Sequence, residues 1–373
     1  MRPISSRRNF LKISAALVSA SLLRSAGAAP ATGDAARWYR KALVIDGNLV
    51  PPIDPDKPLD KATVKAVRSS GLTAIKVTLV GNSADFDETC KTIAIFDRAI
   101  AHNPDLYMQI RNVADLQLAK QSGKIGIIYS FETVGMLEGK LERIDYFSDL
   151  GVRVMQLSYN TTSPFASGVM SPQPSTGLTA LGREAVARMN AAGVSLDLSH
   201  CDEKSTLDAI AASAKPVLIT HAGCSAVHLH PRNKSDEVLR AVADKGGVVG
   251  IYELCYLTPG PAQQSLNDYL AHLTHALSVC GDDHVGIGSD ALLMPFDTSP
   301  AGMAEWNKDI AARKASGIAA PGEGRPPFVV GLNRPDRSEI IATALLKRGY
   351  SEQTVEKVLG ANFRRVFEQT WKS

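Results

Sequence analysis

A single (β/α)8 barrel is the fold class the sequence predicts, on three observations. Eight short runs rich in Val and Ile alternate along the chain with longer amphipathic stretches. Each run is nearly continuous in apolar residues, the pattern of a parallel strand covered on both faces. Titratable and hydrogen-bonding side chains recur just past the ends of these runs, which is where such a barrel keeps its chemistry. The length of 373 residues would give two domains at about 150 residues each, but a barrel of this class takes it up in one, here residues 29–373.

The strand runs, in order, are residues 43–45, 72–80, 125–131, 152–157, 194–198, 217–219, 247–252 and 284–288. Helical patterns fall between them at 90–102, 178–192, 203–213 and 265–279, with Asp202 and Ser235 placed as helix caps. Residues 336–347 and 352–367 read as closing helices, and the Pro- and Gly-rich stretch 319–327 reads as a loop near the barrel mouth. A doubly wound sheet is the competing architecture. It calls for a Gly-rich phosphate turn after the first strand, and Ile45-Asp46-Gly47-Asn48 is not one. Gly286-Ile287-Gly288 has two glycines at suitable spacing but lacks the third.

The composition, 45% hydrophobic, 21% charged and 6% aromatic, excludes collagen-like, coiled-coil and disordered classes. Five cysteines (Cys90, Cys201, Cys224, Cys255, Cys280), odd in number and without a CxxC pair, give neither a disulfide framework nor a zinc ribbon. The net charge of +3 is carried by the N-terminus. Residues 1–28 hold five of the 41 Lys and Arg and none of the 38 Asp and Glu, which leaves 36 basic against 38 acidic side chains, a net of −2, for the rest. A slightly acidic body argues against a nucleic-acid partner, whose phosphates reward a basic surface.

Residues 1–28 read as an address. Arg7-Arg8-Asn9-Phe10-Leu11-Lys12 precedes an apolar stretch over 13–23 and the small-residue cleavage pattern Ala26-Gly27-Ala28. The paired arginines resemble a bacterial twin-arginine signal, which implies the twin-arginine export machinery as a partner and the periplasm as the destination. A membrane-spanning helix is the competing reading, and the apolar run falls short of the ~20 residues a span needs.

The residues at or just past the strand ends are Asp46, Glu132, Tyr159 with Asn160, His200, His221 and Asp290. Any one of them could simply cap a helix or hold a loop. As a set they look like a site, because Glu132, His200 and His221 supply one carboxylate and two imidazoles, donors suited to zinc with a fourth position left for water.

These residues also resemble the membrane dipeptidase (renal dipeptidase, M19-like) family of metal-dependent hydrolases. Val44-Ile45-Asp46-Gly47 is similar to the family's opening strand, and Phe131-Glu132 to its bridging glutamate. Asp197-Leu198-Ser199-His200 resembles its D-x-S-H, and Thr220-His221 its second histidine. His230-Pro231-Arg232-Asn233, followed by Asp236 and the glycine pair 246–247, is the most specific match. The strand ending Gly288-Ser289-Asp290 and the helix Asn362-Phe363-Arg364-Arg365-Val366-Phe367 agree as well. The resemblance implies a (β/α)8 fold, a two-zinc site bridged by Glu132, one ion completed by His200 and His221, and a small peptide or amide substrate. It implies that Arg232 holds the substrate's free carboxylate and that Asp290 moves the proton between attacking water and leaving amine. Family members are often dimers, so a homodimer is the assembly it implies.

Two departures matter. The family's opening motif Asp-Gly-His-x-Asp is here Asp46-Gly47-Asn48-Leu49-Val50, so a histidine ligand is replaced by Asn48 and an aspartate ligand by Val50. Asp54 or Asp56 reaching back is the alternative. After the fourth strand, Tyr159 stands where the family has a histidine that polarises the substrate carbonyl, and Tyr159 still donates a hydrogen bond. One zinc site is therefore expected whole and the second dismantled. The sequence thus predicts a one-zinc amidohydrolase acting on dipeptides. The competing reading is a periplasmic protein that kept the scaffold, binds a peptide or assists maturation of a secreted peptide product, and does not hydrolyse. His230 is expected at the surface or anchoring a loop, with support of the substrate or ligands as the alternative; His272 and His275 are expected on an outer helix, and Cys201 as a buried thiol.

Overall fold

The computed structural model describes residues 38–82 and 85–372. The proposed export signal, residues 1–28, lies outside them. Eight parallel strands close on themselves: β1 (Ile45–Asp46), β3 (Ala74–Val80), β5 (Ile125–Phe131), β6 (Val152–Gln156), β7 (Ser195–Asp197), β8 (Leu218–Ala222), β9 (Val248–Ile251) and β10 (Val285–Ile287). Closure comes from β1, which pairs with β3 on one side and β10 on the other. These are the eight strands read from the sequence, with ends shifted by at most three residues. Three strands lie outside that reading. β4 (Tyr107–Gln109) pairs with the first half of β5, and β2 (Leu49–Val50) pairs with β11 (Ala291–Leu292) at the mouth. Runs of two or three residues are too short to carry a periodic signal.

Helices fill the connections between successive barrel strands, and among the described residues four more follow the last strand. Asp202 accepts from the Ser205 amide and Ser235 from the Val238 amide, so both predicted caps form. The last segment is broken where the sequence suggested one helix. It runs as a short helix, Glu352–Glu356, then a π-helical turn, then Asn362–Thr370.

That final helix stoppers the barrel. Phe363, Val366, Phe367 and Trp371 pack in one buried cluster with Ile45, Ala74, Val154, Leu218 and Val248. The Phe363 ring reaches so far inward that a Cβ on Gly47 or Gly286 would lie 2.6 or 2.5 Å from it. Gly286 and Gly288 thus serve close packing inside the barrel. With one end sealed by aromatic side chains, polar groups can collect only at the other. Among the described residues, no helix is long and apolar enough to cross a membrane.

Candidate metal centre

The C-terminal ends of the strands bring the sequence-predicted residues together. Glu132 directly follows β5, His221 sits within β8, and His200 lies three residues beyond β7. All three are buried, and their ligand atoms lie within 4.8 Å of one another. Among the described residues this is the only such cluster of three or more His, Cys, Asp or Glu side chains.

Hydrogen bonds fix which nitrogen of each imidazole faces the centre. Asn160 donates its Nδ2 to the Ile318 carbonyl at 3.0 Å, so its Oδ1 faces His200 Nδ1 at 2.7 Å. An oxygen there requires Nδ1 to carry the proton. Thr220 donates its hydroxyl to Asp197 Oδ2 at 2.6 Å, so at 2.9 Å it accepts from His221 Nδ1. Both rings therefore turn a lone pair inward on Nε2. The two Nε2 atoms are 3.0 Å apart, and His221 Nε2 is 3.9 Å from Glu132 Oε1. Two lone pairs and a carboxylate converging on one point form a donor set that fits a metal ion, with each histidine braced by a second hydrogen bond.

Asp197 organises the floor of this centre. It is fully buried and accepts from Thr220, from the Gln156 amide at 2.9 Å and from the Ser199 hydroxyl at 2.6 Å. Asp46 plays a similar part at β1. It accepts from the Asn48 and Ser289 amides, each at 3.0 Å, and from the Ser289 hydroxyl at 2.5 Å, joining β1 to the segment that carries Asp290. Burial pushes its carboxyl up to about 7 even against those bonds.

Asn48 occupies the place that the family resemblance gives to a metal-binding histidine. Its Nδ2 donates to Glu132 Oε1 at 3.1 Å and to Asp290 Oδ1 at 2.8 Å. Its Oδ1 lies 3.2 Å from both Lys76 Nζ and Thr78 Oγ1. Val50 lines the pocket with an apolar side chain. Asp54 and Asp56 do not reach back: Asp54 Oδ1 accepts from the backbone amides of Asp56 and Lys57 and so caps its own loop. Asp290 and Asn160 both have φ of 49°, a left-handed conformation that Asp and Asn adopt more readily than most residues.

Above the three ligands, a pocket is lined by Tyr159, Arg232, Asp290, Asp309, Arg313 and Glu323, among others. The Tyr159 ring stacks on the His200 imidazole with centroids 4.3 Å apart, and its hydroxyl accepts from Arg313 at 3.1 Å. Arg232 is buried, donates to the Ser199 carbonyl and places Nη2 3.3 Å from His200 Nε2. Glu323 belongs to the predicted mouth loop, tied down by Arg313 and by the Tyr256 hydroxyl at 2.8 Å.

His230 does anchor a loop, bonding the Pro321 carbonyl at 2.8 Å and stacking on Tyr256. Cys201 is a buried thiol pushed up to about 11, chiefly by burial. His272 and His275 do sit on a helix, Leu266–Cys280, but the side chain of His272 is turned inward. It is fully buried, accepts from the Cys224 amide at 2.8 Å and bonds the Leu257 carbonyl at 2.8 Å.

The sequence profile of the membrane dipeptidase family, peptidase family M19, matches residues 67–313. The chain belongs to the membrane dipeptidase family. It is a dipeptidase-like hydrolase of a metal-dependent family, and that family implies a small peptide substrate. A Klebsiella pneumoniae protein described as an uncharacterized protein in the pqqA 5′ region is 28% identical over 289 residues, covering 75% of this chain and 95% of that protein. Dipeptidase tcpJ of Claviceps purpurea is 27% identical over 288 residues, and the match takes in 77% of this chain but only 60% of that longer protein. An amidohydrolase from Pseudomonas aeruginosa superposes with a TM-score of 0.77 at 31% identity, covering 90% of this chain and 99% of its own.

Against the dinuclear arrangement the family implies, Lys76, Thr78 and Asn160 are the site residues that sequence reasoning left without a role. Lys76 had a signal: it is the one charged residue in the otherwise apolar and hydroxyl-bearing run 72–80. A lysine inside a buried strand calls for a partner in the interior.

Proposed function

We propose that this chain is a single-zinc hydrolase of dipeptides, or of small amides that end in a free carboxylate. The observation that carries this reading is the convergence of His200 Nε2 and His221 Nε2, 3.0 Å apart, beside Glu132, with both tautomers fixed from behind. Glu132, His200 and His221 would hold the ion, which when bound supplies Lewis acidity toward a carbonyl and acidifies water to a pKa of about 7. The protein's own groups do the rest. Arg232 grips the substrate carboxylate with its planar fork. Tyr159 takes the Arg313 hydrogen bond on its oxygen, which leaves its own proton to donate to the carbonyl oxygen as charge grows there. Asp290, held by Asn48, carries the proton from water to the leaving amine. The name of the Claviceps relative, a dipeptidase, supports dipeptides as the first substrates to try.

A scaffold that binds peptides without cleaving them is the second reading, favoured by the amide of Asn48 where the family's ligand would stand. A panel of dipeptides offered to the zinc-loaded protein separates the two. Turnover that disappears in His200→Ala supports the hydrolase; saturable binding with no turnover on any member overturns it in favour of the scaffold.

We infer also that the chain is exported to the periplasm by the twin-arginine route, on the strength of Arg7-Arg8 and the segment that follows. Arg7→Lys with Arg8→Lys should leave unprocessed protein in the cytoplasm; unchanged export would sink the inference.

A further inference from the structure

Inside the barrel, next to the three candidate ligands, lies a lysine with no part in the chemistry proposed above. Lys76 is 1% exposed. Its Nζ is 3.2 Å from Asn48 Oδ1, 3.4 Å from Thr78 Oγ1 and 3.9 Å from Asp197 Oδ2. An ammonium has donors only, so the Asn48 atom that faces it must be the oxygen. The orientation of the Asn48 amide follows. Its NH2 is turned the other way, one hydrogen toward Glu132 Oε1 and the other toward Asp290 Oδ1.

That arrangement has a definite consequence for metal binding. An amide nitrogen whose hydrogens both point at carboxylates has no lone pair to give a cation. The amide oxygen, which could ligate one, faces an ammonium instead. Thr78 reinforces the geometry, with its hydroxyl 2.9 Å from Glu132 Oε1 and 3.2 Å from Asn48 Oδ1. Glu132 and Asp290 thus meet hydrogen-bond donors on the side where the family resemblance puts another ion, and a fixed positive charge stands directly behind those donors. A divalent cation entering there would have to displace the amide and sit close to the ammonium, and in a low-dielectric interior like charges repel strongly.

We propose that Lys76 closes the second metal position: by locking the Asn48 amide and supplying a built-in positive charge, it makes this chain a one-ion member of its family. The inference rests on the one-metal reading, but it concerns how many ions bind and not whether peptides are cleaved. Restoring the missing ligands alone should therefore fail to restore the missing ion.

The test is ion counting on the folded, purified full chain, loaded with excess zinc, freed of unbound metal and analysed by elemental mass spectrometry. Wild type should hold about one ion per chain, and the doubly restored Asn48→His, Val50→Asp protein should still hold about one. Adding Lys76→Met to that pair should raise the count to about two. Two ions in the double variant with Lys76 intact would overturn the proposal. So would a single ion in the triple variant, provided it melts cooperatively and keeps the ion at His200 and His221. If removal of a buried lysine prevents folding, the double variant decides, since its ligands are restored and Lys76 is intact. Loaded with manganese, it should give the paramagnetic resonance signal of isolated ions, and an exchange-coupled pair signal would refute the closure. Turnover enters none of these readouts, so a failed substrate screen leaves the inference standing.

Discussion

Asn160 Oδ1 lies 2.7 Å from His200 Nδ1, and the same amide is anchored on its other side by the Ile318 carbonyl. A backbone oxygen more than a hundred residues away thereby selects the tautomer of a candidate metal ligand. Asn160→Ala removes the acceptor and lets the His200 ring rotate and exchange tautomers. Metal affinity should fall by about 10–100-fold, the usual cost of losing such a support. Competition against a chelator of known affinity measures it, and an unchanged affinity would show that the tautomer is set elsewhere.

Thr220 serves His221 in the same way, but through a relay that ends on Asp197. Thr220→Val keeps the shape and deletes the hydroxyl, so it should weaken metal binding by about 10–100-fold. Thr220→Ser keeps the hydroxyl and should restore most of the loss. If Ser and Val behave alike, packing of the methyl matters and the relay does not.

Asp290, to which we assign proton transfer, stands outside the three-residue cluster. Its partner Asn48 can hydrogen-bond an amide as well as a carboxylate, so Asp290→Asn should fold and keep its ion. Hydrolysis of a dipeptide should nevertheless drop by about 10²–10⁴-fold, the range for losing a general acid–base. Steady-state turnover together with ion content distinguishes this from a ligand role, in which the ion would be lost too.

Strands that are covered on both faces must be apolar throughout, which is why all eight barrel strands were legible, while β4, three residues ending in Gln109, was not. The candidate ligands were legible because the fold delivers strand ends to one mouth. The hydrogen bonds that orient them were not, since Asn160 with Ile318, and Thr220 with Asp197, meet only after the chain has closed. His272 was readable in principle: it joins Tyr269, Leu273, Ala276 and Cys280 on the buried stripe of its helix (Leu266–Cys280). Its place in that stripe, and not its polarity, decides that it faces inward.

Gly288 shows what the barrel interior tolerates. A Cβ there would lie 1.7 Å from the carbonyl oxygen of Thr220, the residue before His221. Backbone cannot swing aside like a side chain, so Gly288→Ala must push β10 away from β8. A loss of about 3 kcal/mol in unfolding free energy is expected, the upper end of ordinary overpacking, with weakened metal binding. Gly324→Ala, with nothing within 4 Å of its added carbon, is the control and should stay within about 0.5 kcal/mol of wild type in denaturant titrations.

His272 makes stability depend on pH in a direction the geometry dictates. Burial lowers its pKa from 6.5 to about 4, and Nδ1 must stay unprotonated to accept from the Cys224 amide. Between those two values the unfolded chain takes up a proton that the folded chain refuses, so acid favours unfolding. The contribution is fully present above pH 6.5 and is lost as pH falls toward 4, on the order of 3 kcal/mol in total. Urea denaturation across this window should show wild type losing stability more steeply than His272→Gln, which has no proton to take up. Parallel slopes for the two proteins would mean that His272 is protonated in the fold and that the Cys224 amide bonds elsewhere.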